Sequence, residues 1–255
     1  MKYIRYQSES GPQVGMYTDE TDVKQASGSI AEGFTAGDSV GALDSLPLFA
    51  PLEPGKVVAI GLNYVAHVTE MDKTRELPEF PVMFMKPNSA IIGPGESIRL
   101  ANPDNPTHYE AELCVVIGKT ATDVEEANAL DYVFGYTCGN DVSDRTVQYA
   151  RGQWIQGKGY DSYCPLGPCI ETDLDVSNVR VQSRLNGEPR QDETTDKLIF
   201  NIPYLISYVS KVMTLFPGDV IMTGTPHGVG PMNAGDTIEI EVEGIGVLRN
   251  PVVNR

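Results

Sequence analysis

Tyr109-Glu-Ala-Glu-Leu-Cys-Val-Val-Ile117 is an apolar run broken by two carboxylates, and its reading decides the fold. Its aliphatic and β-branched residues predict a strand, on which successive side chains point to opposite faces. Tyr109, Ala111, Leu113, Val115 and Ile117 then share one face, and Glu110 and Glu112 share the other. Same-face neighbours on a strand lie about 7 Å apart, so both acids reach one point and repel each other there unless a cation joins them. Asp141, in Gly135-Tyr-Thr-Cys-Gly-Asn-Asp-Val142, is the candidate third acid, because a β-prone stretch there meets a polar turn. Three carboxylates offer hard oxygen ligands, which suit Mg²⁺, Mn²⁺ or Ca²⁺ better than Zn²⁺. The competing reading is a chance Glu-x-Glu on the solvent face of a strand, since 35 acidic side chains stand against 19 basic ones.

The 255 residues, 41% of them hydrophobic, suffice for one large domain or for a catalytic domain with a small appendage. A net charge of −16 argues against nucleic-acid partners and against an anionic membrane surface. So large an acid excess without an acidic tail suggests a halophilic type of protein, whose carboxylate surface is screened by salt. An acidic mesophilic protein is the alternative, and stability that fails to rise from low to molar KCl would decide for it. Residues 1–30 hold no continuous apolar signal segment, and no run approaches the roughly 18 apolar residues of a membrane helix, which predicts a cytoplasmic protein. Cys114, Cys138, Cys164 and Cys169 form no Cys-x-x-Cys pair and are expected to be buried free thiols.

Residues 1–50 alternate short strand-like pieces, such as Lys2-Tyr-Ile-Arg-Tyr6, with polar turns, and Pro47 to Pro54 read as a linker. This predicts a small N-terminal domain followed by a catalytic domain over 56–255. Short β-rich runs then dominate: Val57–Ile60, Val82–Met85, Val179–Leu185, Val220–Met222 and Thr237–Val242. Helices are expected over Val124–Val133, capped by Asp123, and over Ile202–Val212, capped by Asn201 with Pro203 in its first turn. Regular βαβ alternation is absent, as is a Gly-x-Gly-x-x-Gly opening a helix, so a nucleotide-binding doubly wound sheet is excluded. The fold class is α+β, rich in strands.

Three further segments carry chemistry-bearing residues. His67 and Glu70 are neighbours if their segment is helical, and a carboxylate beside an imidazole makes a general base; a surface His-Glu pair is the alternative. Lys158, in Gln156-Gly-Lys-Gly-Tyr-Asp161, is flanked by glycines that would admit a ligand close to the backbone, unless it is a solvated loop lysine. Thr223-Gly-Thr-Pro-His-Gly-Val-Gly230 offers hydroxyls and N–H groups to an anion, or is a tight connection between strands. His227 and His108 are each open to a structural or a site role.

In this order the segments resemble the fumarylacetoacetate hydrolase superfamily over about residues 56–253, in its acylpyruvate hydrolase and hydroxyhepta-dienedioate isomerase-like branch. The resemblance rests on Gly61-Leu-Asn-Tyr64, His67, Glu70, Phe84-Met-Lys-Pro87, Tyr109–Leu113, Gly139-Asn-Asp-Val-Ser143, Arg145, Gln148, Gly157-Lys158, Pro203–Ser207, Pro217–Val220 and Thr223–Pro226. It implies a roll of mixed β-sheets with peripheral helices, usually homodimeric. It implies Glu110, Glu112 and Asp141 as ligands of Mg²⁺ or Mn²⁺, His67 with Glu70 as a catalytic dyad on a lid, and Lys158 as a substrate contact. Arg145, Gln148 and Thr225 would complete the pocket. The implied substrate is a 2-oxo acid, and the implied reaction is hydrolytic C–C cleavage of an acylpyruvate. Isomerisation of a hydroxy-dienoic acid and decarboxylation of oxaloacetate are the alternatives within the superfamily. Gly159-Tyr-Asp where Ser-Phe-Asp is expected, and His227 after Thr-Gly-Thr-Pro, bear on substrate preference rather than on the metal. An acidic protein that merely binds Ca²⁺ is the rival from another class, and His67, Arg145 and Lys158 count against it.

Overall fold

Strand Ala111–Ile117 lies inside a twelve-stranded mixed sheet in the computed structural model, which describes every residue except Asp72 and Arg151, and Met71 without its side chain. It pairs antiparallel with Val133–Asn140 on one side and Val220–Met222 on the other. The latter runs parallel to Val57–Gly61, which pairs antiparallel with Val82–Lys86. Beyond Val133–Asn140 come Cys164–Glu171 and Lys2–Ser8, and the sheet continues as a meander through Gly11–Tyr17, Val23–Ser29 and Gly33–Gly41. The expected linker holds a short strand, Leu48–Phe49, paired with Arg5 and Tyr6.

The predicted alternation sorts the side chains correctly. Tyr109, Ala111, Leu113, Val115 and Ile117 all enter one hydrophobic core. On the opposite face Cys114 and Val116, beside Glu112, enter a second core. A sheet covered on both faces needs strands that are apolar nearly throughout, which explains why this run is so dense in aliphatic residues. Against the first core packs a five-stranded sheet of Glu188–Thr194, Arg180–Leu185, Thr237–Val242, Gly246–Asn254 and Ile98–Leu100, through Val181, Ile238, Ile240 and Leu248.

One boundary differs from the sequence reading. Thr107–Tyr109 belongs to a separate three-stranded sheet with Ser143–Asp144 and Gly230–Met232, and the chain changes sheets at Glu110. The step leaves no backbone group orphaned: the Glu110 N–H donates to Asn140 Oδ1 at 2.9 Å, and its carbonyl accepts from the Asp141 N–H at 3.0 Å. The break thus ties the candidate third acid directly to the first.

Among the described residues four α-helices flank the sheets: α1 (Val65–Met71), α2 (Arg145–Ala150), α3 (Ile155–Lys158) and α4 (Ile202–Val212). Helix α4 starts where the sequence places it, with Asn201 Oδ1 accepting from the Tyr204 N–H at 2.9 Å. It buries Ile202, Leu205, Ile206 and Val209, one stripe at helical spacing. The helix expected over Val124–Val133 is instead a 3-10 helix, Glu126–Tyr132, and Asp123 takes a left-handed φ of 50° rather than capping it. With only Ala129 of this segment buried, too little apolar face exists to hold α-helical turns against the core. All four cysteines are buried and free, and burial pushes their thiols up, to about 11 for Cys169. Among the described residues no helix is long and apolar enough to cross a membrane.

Candidate active site

The sheet step at Glu110, the end of strand Val133–Asn140 and helix α3 converge on one buried cluster. Glu110, Glu112 and Asp141 each present an oxygen within 4.8 Å of the others, and all three are almost fully buried. Lys158 Nζ lies among them, 2.9 Å from Glu110 Oε2, 2.6 Å from Asp141 Oδ2 and 2.7 Å from Ser143 Oγ. Lys86 Nζ holds the other Asp141 oxygen at 2.6 Å and also donates to the Val142 carbonyl. Arg145 Nη2 stands 2.5 Å from Glu110 Oε1, while its Nη1 donates to Gln148 Oε1 at 2.9 Å. The Nη2 contact is one of charge without hydrogen-bond alignment, and both Nε and Nη2 of this buried guanidinium lack a hydrogen-bond acceptor among the described residues.

Three cations therefore serve two of the acids, and among the described residues none contacts Glu112. Among the described residues Glu112 Oε2 accepts only the Gly224 N–H, at 2.8 Å. Burial, then the charges of Asp141 and Glu110, push its carboxyl well above the usual range. Burial acts in the same direction on Glu110, but Lys158 and Arg145 outweigh it and hold that carboxyl far below. Lys158 is likewise kept protonated against its burial by Asp141 and Glu110. A hard divalent cation fits this donor set: three oxygens converge, and the acid without a counter-charge faces the other two.

His67 on helix α1 lines the cleft beside the cluster together with Ile60, Leu62, Arg75 and Trp154. Its Nδ1 is 3.2 Å from Glu70 Oε2, as the i,i+3 spacing predicts. The other Glu70 oxygen accepts the Gly228 N–H at 2.9 Å, so one carboxylate orients the imidazole and joins the helix to the loop after Val220–Met222. Burial alone would raise the Glu70 carboxyl, but those two hydrogen bonds hold it below the usual value. This anchoring is therefore in place at neutral pH and is lost only as pH falls through that lowered value.

The nine residues expected at the site are thus brought together: His67, Glu110, Glu112, Arg145, Gln148, Lys158 and Thr225 line the cleft, with Glu70 and Asp141 in contact with its walls. Two physical reasons behind them change. Gly157 does not admit a ligand; a Cβ there would lie 2.6 Å from Gln148 N and 2.7 Å from Asp144 O, so it lets α3 press against α2. Lys158 ends α3 rather than sitting in a loop. The Thr223–Gly230 loop does receive anions, but they are the chain's own Glu112 and Glu70. Sequence reasoning assigned no role to Lys86, which entered only within Phe84-Met-Lys-Pro87 and which is the buried end of the otherwise half-exposed strand Val82–Lys86. His227 is exposed. His108 lies outside the cleft lining; burial, then the Arg145 charge, bring it down to about 4, so its ring is neutral.

Because the atoms that a Gly157 Cβ would meet are backbone, they cannot swing aside. Gly157→Ala is expected to destabilise the fold by about 1–3 kcal/mol and to displace Lys158, cutting turnover more than substrate-free stability would explain. Urea unfolding alongside steady-state assays checks this; an unchanged midpoint would contradict the close α2–α3 approach.

The profile described as fumarylacetoacetate (FAA) hydrolase C-terminal matches residues 56–253. The chain belongs to the fumarylacetoacetate hydrolase family. The structure of a 5-carboxymethyl-2-hydroxymuconate delta-isomerase from Mycobacterium smegmatis is 44% identical, with a TM-score of 0.90 over the full length of both chains. The mitochondrial oxaloacetate tautomerase fahd2 of Xenopus laevis is 39% identical over 222 residues, 82% of this chain and 69% of that protein. A maleylpyruvate hydrolase from Sphingobium sp. SYK-6, whose structure is a complex with manganese(II) and pyruvate, is 30% identical with a TM-score of 0.81 and covers 100% of this chain and 99% of that one. The mixed-sheet, strand-rich fold expected from the sequence is the fold of these proteins. The family comprises enzymes, both hydrolases and isomerases.

Proposed function

We propose that this chain is a divalent-metal-dependent enzyme that moves a proton between carbon and oxygen of a 2-oxo acid, interconverting its keto and enol forms. The observation that supports it is a buried imidazole, oriented by the exposed Glu70 carboxylate, that lines one cleft with Glu110, Glu112 and Lys158, where three carboxylates converge. Glu110, Glu112 and Asp141 would hold Mg²⁺ or Mn²⁺. That ion would supply Lewis acidity toward the carboxylate and 2-oxo oxygens of the substrate.

The chain's own groups do the rest. Arg145, whose Nε and Nη2 have no hydrogen-bond acceptor among the described residues although Nη2 is in ion-pair contact with Glu110, would receive a substrate carboxylate beside Gln148 and Thr225. Lys158 stays charged and places positive potential where an enolate oxygen would develop. His67, with Nδ1 turned to Glu70, keeps Nε2 for the cleft and takes the proton from the carbon next to the 2-oxo group. Delivery of a proton to the 2-oxo oxygen gives the enol, the reverse transfer regenerates the keto form, and delivery to the vinylogous carbon of a dienoic substrate shifts its double bond. Trp154, Ile60 and Leu62 limit water around the base.

Hydrolytic C–C cleavage of an acylpyruvate is the second reading, supported by the likeness to the maleylpyruvate hydrolase. It uses the same dyad to activate a water. A panel of enol-oxaloacetate, a hydroxy-dienedioate and acylpyruvates, followed by enol absorbance with products identified by mass spectrometry, separates the two. Isomerised product without cleavage supports proton transfer, and pyruvate release from acylpyruvates supports hydrolysis. Turnover of none of them in the presence of Mg²⁺ and Mn²⁺ would sink both.

The stretch Tyr64–Glu79 carries the dyad on helix α1 and brings Arg75 to the cleft; Asp72 within it lies outside the described residues. Its charged residues and scarce apolar anchors fit a lid. Hydrogen exchange over this stretch is expected to slow when Mn²⁺ and oxalate bind together. Equal exchange with and without them would remove the lid role.

A further inference from the structure

Gln191, on strand Glu188–Thr194 of the five-stranded sheet, is 1% exposed and belongs to none of the motifs that define the site. Its side-chain amide nevertheless reaches the site from behind. Oε1 accepts from the Ala111 N–H at 3.0 Å and from Ser183 Oγ at 3.0 Å. Nε2 donates to the Pro226 carbonyl at 2.8 Å and to Thr225 Oγ1 at 2.7 Å. All four hydrogen-bonding positions of the amide are in use. Ala111 stands between Glu110 and Glu112, and Thr225 follows the Gly224 whose N–H holds Glu112. One side chain therefore ties the backbone between the two glutamates to the loop across the cleft.

The orientation of this amide is not free. The Ala111 N–H can only donate, so it must face Oε1; the Pro226 carbonyl can only accept, so it must face the NH₂ group. Thr225 Oγ1 is on the NH₂ side and has to accept. A threonine hydroxyl carries one proton, and no acceptor for the Thr225 proton is found among the described residues. With its lone pair engaged by Gln191, that proton is directed toward the cleft that Thr225 lines. We propose that Gln191 is a positioning residue that fixes the polarity of the Thr225 hydroxyl, making it a hydrogen-bond donor to an anionic oxygen of the ligand. The inference rests on the 2-oxo acid reading and adds to it the direction of one hydrogen bond and the residue that sets it.

Gln191→Glu is the informative substitution because it keeps the shape and reverses the sign. The carboxylate still accepts from Ala111 and Ser183, but it turns the Thr225 hydroxyl into its own donor and away from the ligand. Calorimetric titration of Mn²⁺, and then of oxalate into Mn²⁺-loaded protein, is carried out on wild type, Gln191→Glu, Gln191→Met, Thr225→Val and the Gln191→Glu/Thr225→Val pair. Mn²⁺ affinity should stay within a few-fold of wild type, and oxalate affinity should fall roughly tenfold in Gln191→Glu and in Thr225→Val, the scale of one hydrogen bond to a charged group. The double variant should lose no more than Thr225→Val alone, since the amide acts only through that hydroxyl. Additive losses, or oxalate binding unchanged in Gln191→Glu, would overturn the role of Gln191 while leaving the 2-oxo acid reading intact. Wild-type protein that binds neither Mn²⁺ nor oxalate would overturn the reading itself. Loss of the cooperative unfolding transition in both Gln191→Glu and Gln191→Met would make the residue a folding element and overturn the proposal as well.

Discussion

Glu112→Gln is expected to abolish turnover and to weaken Mg²⁺ or Mn²⁺ binding roughly a hundredfold or more, while raising the stability of chelator-treated protein. The two effects have opposite sign for one reason. Glu112 is the acid with no cation beside it, held at 1% exposure facing Glu110 and Asp141. Its folded-state carboxyl titrates above the unfolded value. Its contribution to stability is therefore intact below the ordinary carboxylate range and lost as pH rises toward that raised value. A neutral amide of the same shape removes this penalty at neutral pH. Glu110→Ala and Asp141→Ala are also expected to abolish activity, but they destabilise, because Lys158 loses a buried counter-charge in each and Lys86 loses Asp141. Equilibrium dialysis and thermal melts with and without metal read both quantities. Unchanged Mg²⁺ affinity in any one variant would take that residue out of the ligand set.

His67→Ala should lower kcat by roughly a hundredfold or more with oxalate affinity nearly unchanged, the scale of losing a general base that acts only in the transition state. Glu70→Gln should be milder. An amide can still accept the Gly228 N–H that joins helix α1 to the loop, so the imidazole is disoriented rather than removed. Lys158→Ala differs from both by weakening oxalate binding, since its ammonium faces the acids that the ligand must approach. Full proton transfer by His67→Ala would move the base elsewhere in the cleft.

What was legible in the sequence was local. The alternation through Tyr109–Ile117 placed its odd-numbered residues in the core, because side-chain direction on a strand follows from the backbone alone. The same holds for Asn201 and Pro203 opening helix α4, and for His67 and Glu70 meeting across one turn, since capping and i,i+3 contact depend only on near neighbours. Convergence of Glu110, Glu112 and Asp141 could be anticipated because two lie on one face of one stretch and the third ends the strand that pairs with it.

Other features depended on tertiary structure. The change of sheet at Glu110 is set by Asn140 and Asp141, some thirty residues away in sequence, and a strand pattern carries no mark of where its partner sheet ends. Gly157 read as room for a ligand, yet the space it leaves belongs to α2, because only the packing of two helices says what a missing Cβ would have met. Lys86 clamps Asp141, and Gln191 joins Ala111 to Thr225, across separations that no local pattern encodes. The identities of these residues were written in the chain from the start. Their partners were decided by the fold, since burial compels every charge and amide to find a counterpart wherever three dimensions bring one within reach.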